Sequence, residues 1–256
     1  LKFYDAPMVI RKTDAGWEKP DNLTPEVGSD GDHILTGISA DGKALLFTYS
    51  DPVTAGDIYL CTYENGEWGS LQKLVSPVNT RFNESHASFA PNGDLYFTSD
   101  RKGGFGGLDI YRAAKDNAGG WTNPVNLGAG VNTPYNEEAP FLTSGGSSLF
   151  FCSQGHFNMG GYDIFRSDAD PEGGWLPPVN LGYPVSTTDD DVFFFPGGNG
   201  DTGYSYRFPQ DAGQSALYRI RIVVPSNPAR FTVHGKLNTG GRDAGGMLVA
   251  FTNTGT

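Results

Sequence analysis

The sequence has few basic residues and no long apolar stretch, and both features limit the classes of function that it can have. Lys and Arg number 18 against 29 Asp and Glu, a formal net charge of −11, and no basic cluster occurs. This argues against nucleic-acid binding, which relies on clustered cations, and disfavours docking on anionic lipid. No apolar run approaches the roughly 20 residues of a membrane-spanning helix, so we expect no direct membrane span.

Cysteine is scarce as well: the sequence holds only Cys61 and Cys152. They fall in different, non-neighbouring units of the repeat described below, so we expect two free thiols. Free cysteine is a common small core residue, and its use here leaves the cellular compartment open. Leu1 opens directly into strand-like sequence without a signal-peptide pattern, and we expect the sequence to belong to a longer chain.

Turn-forming residues, in contrast, are abundant. The sequence has 36 Gly and 17 Pro, which leave little room for long helices because both disrupt helix interiors. It is also 38% hydrophobic and 13% aromatic, too much for a disordered chain. This composition predicts an all-β protein with many tight turns.

Several sequence markers recur with a period of just over 50 residues. The four tryptophans are spaced by 51, 53 and 54 residues: Trp17, Trp68, Trp121 and Trp175. Asp-Ile-Tyr or Asp-Ile-Phe recurs at 57–59, 109–111 and 163–165, and Val-Asn-Thr or Val-Ser-Thr at 78–80, 131–133 and 185–187. Each unit contains four short strand-like runs between turn residues. A period near 50 with four strands per unit is typical of a β-propeller blade.

The units set the predicted domain boundaries. Four of them span about 27–74, 80–127, 133–181 and 187–224, and the residues before them look like the later strands of another blade. We therefore predict a five-bladed propeller over 1–224, with six blades as an alternative. The segment 225–229, which begins Pro-Ser-Asn-Pro, is a linker signal. Residues 230–256 then read as the start of a second β-domain, a sandwich.

Three segments of this repeat carry a family resemblance: 41–47, 99–111 and 121–133. They resemble the WD40-like propeller repeat, in the version found in Bacteroidetes envelope proteins of the OmpA family, over about residues 20–224. The tail from Arg230 resembles the opening strand of a carboxypeptidase-regulatory-like sandwich. Proteins of this family are typically lipoproteins that also carry helical repeats and a peptidoglycan-binding domain, and any such parts lie outside this sequence.

The resemblance implies a non-enzymatic scaffold for protein–protein interaction. It would be periplasmic and associated with the outer membrane, with envelope proteins as partners, among them components of type IX secretion, and peptidoglycan bound only through domains outside this chain. The alternative is a propeller that binds or hydrolyses carbohydrate with carboxylates from different blades. A cleft with unpaired, non-repeating carboxylates would favour that alternative. The sequence has no Gly-x-Ser-x-Gly elbow and no His-x-x-x-His pair, and we expect no catalytic residue.

Residues that break the repeat are the better candidates for a binding site. Those we assign to partner-binding loops are Arg101, Lys102, Phe105, His156, Phe157 and Met159, and His86 and Arg207 also depart from the repeat. Three of them are large apolar side chains among glycines in hairpin loops. Exposed apolar loop residues often mark partner contacts, the alternative being local packing.

Acidic residues recur before the first strand of each unit. Glu84, Glu137 and Asp191 could form an acidic ring at the mouth of the channel and hold Ca²⁺, the only cofactor we consider, through oxygen ligands. The alternative is local hydrogen bonding within the turn. Likewise, the aspartates that open the Asp-Ile-Tyr markers either form a carboxylate cluster or accept N–H groups of their own loops.

Overall fold

The computed structural model describes residues 6–10, 12–39, 41–49, 55–197, 202–207 and 216–221. The predicted linker and second β-domain lie outside these residues. The described residues form antiparallel sheets and one four-residue helix, α1 (Thr24–Val27). No helix among them is long and apolar enough to cross a membrane.

The N-terminal part contains two small strand pairs. Strand β1 (Met8–Val9) pairs with β4 (Asp21–Asn22), and β2 (Lys12–Thr13) pairs with β3 (Gly16–Trp17). In the second and third of the blades described next, the third and fourth strands pair in the same way. In both, a tryptophan forms an isolated β-bridge across the loop that joins these two strands. This part therefore has the pairing of the later half of a blade, as the sequence predicted.

Four blades follow, and consecutive strands of each are hydrogen-bonded, except that the fourth and fifth strands of the first blade both pair with its third. The first blade contains β5 (His33–Ile38), β6 (Ala44–Tyr49), β7 (Asp57–Glu64), the short β8 (Glu67–Trp68) and β9 (Gln72–Lys73). The second contains β10 (Glu84–Phe89), β11 (Leu95–Ser99), β12 (Asp109–Ala113) and β13 (Val125–Asn126). The third contains β14 (Glu137–Leu142), β15 (Ser148–Ser153), β16 (Asp163–Asp168) and β17 (Val179–Asn180). The described residues of the fourth form β18 (Phe194–Pro196), β19 (Thr202–Arg207) and β20 (Ala216–Arg221).

The apolar cores lie between consecutive blades. One joins Leu46 and Ile58 of the first blade to Phe97 of the second, and similar clusters lie at the other three junctions. Each fully buried Phe or Leu in such a cluster contributes about 1.5–3 kcal/mol. Because both faces of an inner blade are covered, its second strand is apolar at consecutive positions rather than alternately.

The recurring tryptophans complete these clusters. Trp68, Trp121 and Trp175 each pack against the core shared with the preceding unit. Trp17 belongs to the N-terminal half-blade, and 68% of its surface is exposed. The regular recurrence of tryptophan in the sequence therefore reflects its packing between blades.

The Val-Asn-Thr segments connect one blade to the next. Val131 is fully buried in the core between the second and third blades. The Asn132 side chain accepts a hydrogen bond from Ile110 N at 2.8 Å and donates to Ile110 O at 3.0 Å. Asn79 makes the same pair of bonds with Ile58 in the preceding connection. The connection is thereby fixed to the third strand of the blade it leaves.

The last residue of this segment binds a buried carboxylate that opens the next blade. Thr133 donates its backbone N–H and its hydroxyl to Glu137, each at 2.7 Å, and Ser153 donates its hydroxyl to Glu137 at 2.7 Å. Glu84 has the corresponding bonds from Thr80 and Ser99. Both glutamates are fully buried. A buried charge is tolerated only when it is paired or hydrogen-bonded in this way.

We predict that Thr133→Val lowers the free energy of unfolding by about 1–3 kcal/mol, because it removes one hydrogen bond from a buried carboxylate without changing the shape of the side chain. Chemical denaturation measures the effect. The matched control is Thr188→Val, at an exposed position in the next connection. Equal stabilities of the two variants would contradict the role given to Glu137.

The two cysteines are free and fully buried, as the sequence predicted. Cys61 donates to Gly69 O at 2.9 Å. Burial raises the pKa of both thiols, and the nearby Glu138 and Glu137 charges raise that of Cys152 further. Neither thiol is therefore held in its nucleophilic, deprotonated form.

We predict that neither cysteine reacts with a thiol reagent at pH 8 in the native protein, and that both react after denaturation, because the thiolate is the reactive form. Counting modified thiols by mass spectrometry tests this. Rapid modification of the native protein would contradict the burial of the cysteine concerned.

Candidate functional site

The candidate loops lie at one end of the blades, where the loops between second and third strands meet the connections between blades. The two kinds of loop are in direct contact: Gly107 N donates to Tyr135 O at 2.9 Å, and a Cβ at Gly106 would clash with the backbone of the same connection. Glycine is required at Gly106 by this close approach. We call this end of the blades the loop face.

Buried aspartates hold the backbone of these loops. Asp109 accepts hydrogen bonds from Phe105 N at 2.6 Å, Gly106 N at 3.1 Å and the Asn126 side chain at 2.7 Å. In the next blade, Asp163 accepts from Met159 N at 2.6 Å and from the Asn180 side chain at 2.7 Å. These bonds correspond to the loop-acceptor interpretation of the repeated aspartates. In the first blade Asp57 is instead paired with Lys73 at 2.6 Å.

The apolar side chains on these fixed loops point away from the protein interior. Phe157 is 91% exposed, Phe105 50% and Met159 44%. Lys102 is exposed on the same loop as Phe105. The structure thus brings together four of the six predicted loop residues as solvent-facing side chains.

Arg101, in contrast, is held inside its own blade. Its guanidinium lies over the rings of Phe97 and Tyr111, at 5.0 and 5.1 Å from their centroids. It donates to Val78 O at 2.6 Å and pairs with Glu84 at 3.2 Å.

His156 occupies the equivalent place in the third blade. Its ring lies 5.9 Å from that of Phe151 and 5.2 Å from that of Phe165, and its Nε2 is 2.8 Å from Val131 O. Arg101 and His156 therefore each contact the connection between blades, through Val78 O and Val131 O. One extra residue between the second strand and His156 hides this equivalence in the sequence.

The predicted acidic ring consists of carboxylates that are hydrogen-bonded within their turns. Glu84 and Glu137 have the bonds described above, and Asp191 accepts from Thr187 N at 2.6 Å and from its hydroxyl at 2.8 Å. Within the described ranges, no three His, Cys, Asp or Glu side chains are grouped as a metal site would need. The local-turn interpretation accounts for these contacts, and the Ca²⁺ site stays a prediction.

A further polar cluster, which the sequence did not assign as a site, lies on the first strands of the second and third blades. Both strands carry a bulge, at which His86 and Ala139 adopt positive φ values of 41° and 51°. Few residues other than glycine adopt this conformation. Such a strained backbone often accompanies a functional site.

The bulges bring His86 against Glu138 of the neighbouring blade. His86 Nδ1 lies 3.0 Å from Glu138 Oε2, and the Tyr162 hydroxyl donates to Glu138 Oε1. Glu138 has no counterpart in the repeat, since Ser85 and Val192 stand at its position in the adjacent blades. The sequence marked His86 as a departure from the repeat, and aligning the blades position by position would also have marked Glu138.

The surroundings of Glu138 act on its pKa in opposite directions. Burial raises the pKa, but the hydrogen bonds donated by His86 and Tyr162 outweigh it and hold the pKa below its ordinary value. Burial and the neighbouring Glu138 raise the pKa of Tyr162. Glu138 is therefore a stably ionised carboxylate, and Tyr162 a stably protonated donor.

The blades define the chain as an all-β propeller repeat protein. Its fold is similar to that of TolB from Acinetobacter baumannii, with a TM-score of 0.50 and 19% sequence identity over 80% of this chain and 43% of that one. The chain thus spans less than half the length of that TolB.

Two further solved structures are similar at lower TM-scores. The putative TolB from Agrobacterium tumefaciens gives 0.45 at 16% identity, over 85% of this chain and 70% of that one. The catalytic domain of the Coprinopsis cinerea GH62 α-L-arabinofuranosidase gives 0.47 at 12% identity, over 85% and 69%. No protein-family model and no curated protein matches the sequence.

We predict that Glu138→Gln lowers stability at pH 6 by about 1 kcal/mol, because hydrogen bonds to a charged acceptor are stronger than those to a neutral one. The folded-state pKa of Glu138 is lowered, so its contribution is present above the unfolded pKa near 4.5 and is lost as the pH falls through the folded value. Denaturation at pH 6 and pH 3 measures the difference between variant and wild type.

The matched control is Glu172→Gln, at an exposed carboxylate in another turn. It should match the wild type at both pH values. A Glu138→Gln deficit that stays the same at pH 3 would contradict an ionised Glu138 as its source.

Proposed function

We propose that this chain is a non-enzymatic protein-interaction propeller and that it binds its partner through the loop face. The observation that carries the proposal is the combination of exposed apolar side chains and fixed backbone at Phe105 and Met159. A side chain presented on a rigid loop loses less conformational freedom on binding than one on a mobile loop. Central apolar anchors of this kind supply most of the binding energy in protein interfaces.

The composition of the two ends of the blades supports this assignment. Further large apolar side chains are exposed in the connections on the loop face: Val75 at 79%, Tyr135 at 61% and Tyr183 at 82%. The turns at the opposite end carry exposed carboxylates, among them Glu64, Asp41 and Glu172. The exposed apolar side chains of the loop face thus extend from the loops to the neighbouring connections, as expected of a surface that docks a partner.

The cellular setting is proposed from the repeat motifs. Their resemblance to the OmpA-family envelope proteins supports a periplasmic, outer-membrane-associated protein that is linked to peptidoglycan through other domains. Within that family we propose a role in type IX secretion. We also propose five blades, because the strand pairs around Trp17 have the arrangement of a blade's third and fourth strands.

The carbohydrate-active alternative is favoured by one observation, the non-repeating Glu138. Glycoside hydrolysis needs two carboxylates flanking one bond. The Glu138 carboxylate is instead engaged by His86 and Tyr162. We propose that the chain does not hydrolyse glycans; activity on a polysaccharide panel that Glu138→Gln abolishes would contradict this.

We predict that the double variant Phe105→Ala with Phe157→Ala loses at least about tenfold in recovery of its envelope partner, because truncating interface anchors typically costs 1–2 kcal/mol each. The measurement is quantitative affinity purification from the envelope of a type IX-secreting bacterium.

The matched control is Val125→Ala with Val179→Ala, two side chains that are each 67% exposed on the outermost strands. It should leave recovery unchanged, and both double variants should melt like the wild type. Unchanged recovery with the phenylalanine variant would overturn the loop face as the binding surface.

A further inference from the structure

The first strands of the blades form a pocket around His86, which we call the axial pocket and which is separate from the loop face. These strands contact one another from blade to blade, so they line the axis of the propeller. The pocket is walled by Leu35, Thr36, Phe141, Phe193 and Phe195. Its enclosed volume of about 20 Å³ is close to that of one water molecule or one ammonium group.

The apolar walls extend outwards from this small enclosed space. Leu35 and Phe195 are 37% and 38% exposed, although they belong to inner strands, and Phe193, just before β18, is 39% exposed. Phe193 lies 6.2 Å from the His86 ring, and Phe195 packs edge-on against Phe141 at 5.7 Å. A ligand whose head enters the pocket would therefore rest its body on aromatic and aliphatic surface.

The side-chain hydrogen-bond donors around the pocket are already engaged. The Tyr162 hydroxyl donates to Glu138, and the Thr36 hydroxyl donates to Leu46 O at 3.3 Å. His86 Nδ1 faces a carboxylate oxygen, which can only accept, so Nδ1 carries the proton. In the neutral ring this leaves Nε2 as an acceptor. His86 and Thr36 are thus the polar side chains that wall the pocket, and the Glu138 carboxylate lies behind the His86 ring, on its Nδ1 side.

Two features set the His86–Glu138 pair apart from the repeated structure of the blades. The positive φ values of His86 and Ala139 are unfavourable, and such backbones persist only where the surroundings impose them. The His86–Glu138 pair is also absent from the first blade, although the first strand of that blade has a register shift at the same place, between Leu35 and Gly37. A structural role common to all blades therefore does not explain it.

We propose that the axial pocket binds a primary ammonium group carried on an apolar body. The ammonium donates to His86 Nε2 and is attracted by the charge of Glu138, while the body lies on Leu35, Phe193 and Phe195. Aromatic faces attract a cation through the negative face of the ring. The net charge of −11 further raises the local concentration of cations. The loop face takes no part in this binding.

Isothermal titration calorimetry of the full chain at pH 8 tests the proposal with phenethylamine, phenethyl alcohol and phenylacetate. These probes share the aromatic body and differ in the head group. We expect saturable binding of the amine, binding of the alcohol at least about tenfold weaker, and no binding of the carboxylate. No saturable binding of the amine, or carboxylate binding as tight as that of the amine, would overturn the proposal.

Variants locate the site. Glu138→Gln removes the charge, and His86→Asn removes the imidazole but keeps a residue that tolerates positive φ. Each should weaken amine binding at least about tenfold, whereas Glu172→Gln and the Phe105→Ala, Phe157→Ala variant should bind the amine like the wild type. Wild-type affinity in both axial variants would overturn the assignment. If a variant fails to fold by circular dichroism, the probe series on the wild type decides.

Discussion

A buried carboxylate follows each connection after the first blade, and the neighbouring geometry depends on keeping it hydrogen-bonded. The preceding threonine supplies two donors to this carboxylate, and a serine of the second strand supplies a third at Glu84 and Glu137, because a polar group inside the protein is costly unless it is hydrogen-bonded. These donors fix where the first strand of a blade begins. Asn132 and its counterpart Asn79 fix where the previous blade ends. Together they set the position of one blade relative to the next by polar contacts, while the apolar clusters supply the bulk of the stability.

The loops of the binding surface are held by the same kind of contact. A second buried carboxylate in the blade, Asp109 or Asp163, accepts the N–H groups of its own loop. The loop also rests on the connection of the next blade, so its backbone is held on two sides. The apolar side chains that remain outside are consequently presented by a rigid frame, which is what distinguishes a prepared binding surface from incidental exposure.

The strand content and the blade-to-blade packing could be predicted from the sequence because they repeat. Trp121 and Trp175 stand at fixed offsets from the Asp-Ile-Tyr marker, and their spacing alone indicates a shared packing role. The environments of Arg101 and His156 could not be predicted, because an insertion of one residue conceals that they fill the same place. The His86–Glu138 pair was beyond reach for another reason: it depends on two bulges and on the register of strands from different blades.

The axial pocket and the loop face thus arise in different ways from one repeat. The loop face keeps the repeated backbone and varies the exposed side chains, whereas the axial pocket departs from the repeat at Glu138 and has strained backbone beside it.

The central claim is that the loops of the binding surface are rigid. Amide hydrogen exchange measured residue by residue tests it most directly. The account predicts that the amides of Phe105 and Met159 are protected like the strand amide of Ile110, although their side chains face solvent. Exchange of these two amides at the rate of an unstructured chain would contradict it.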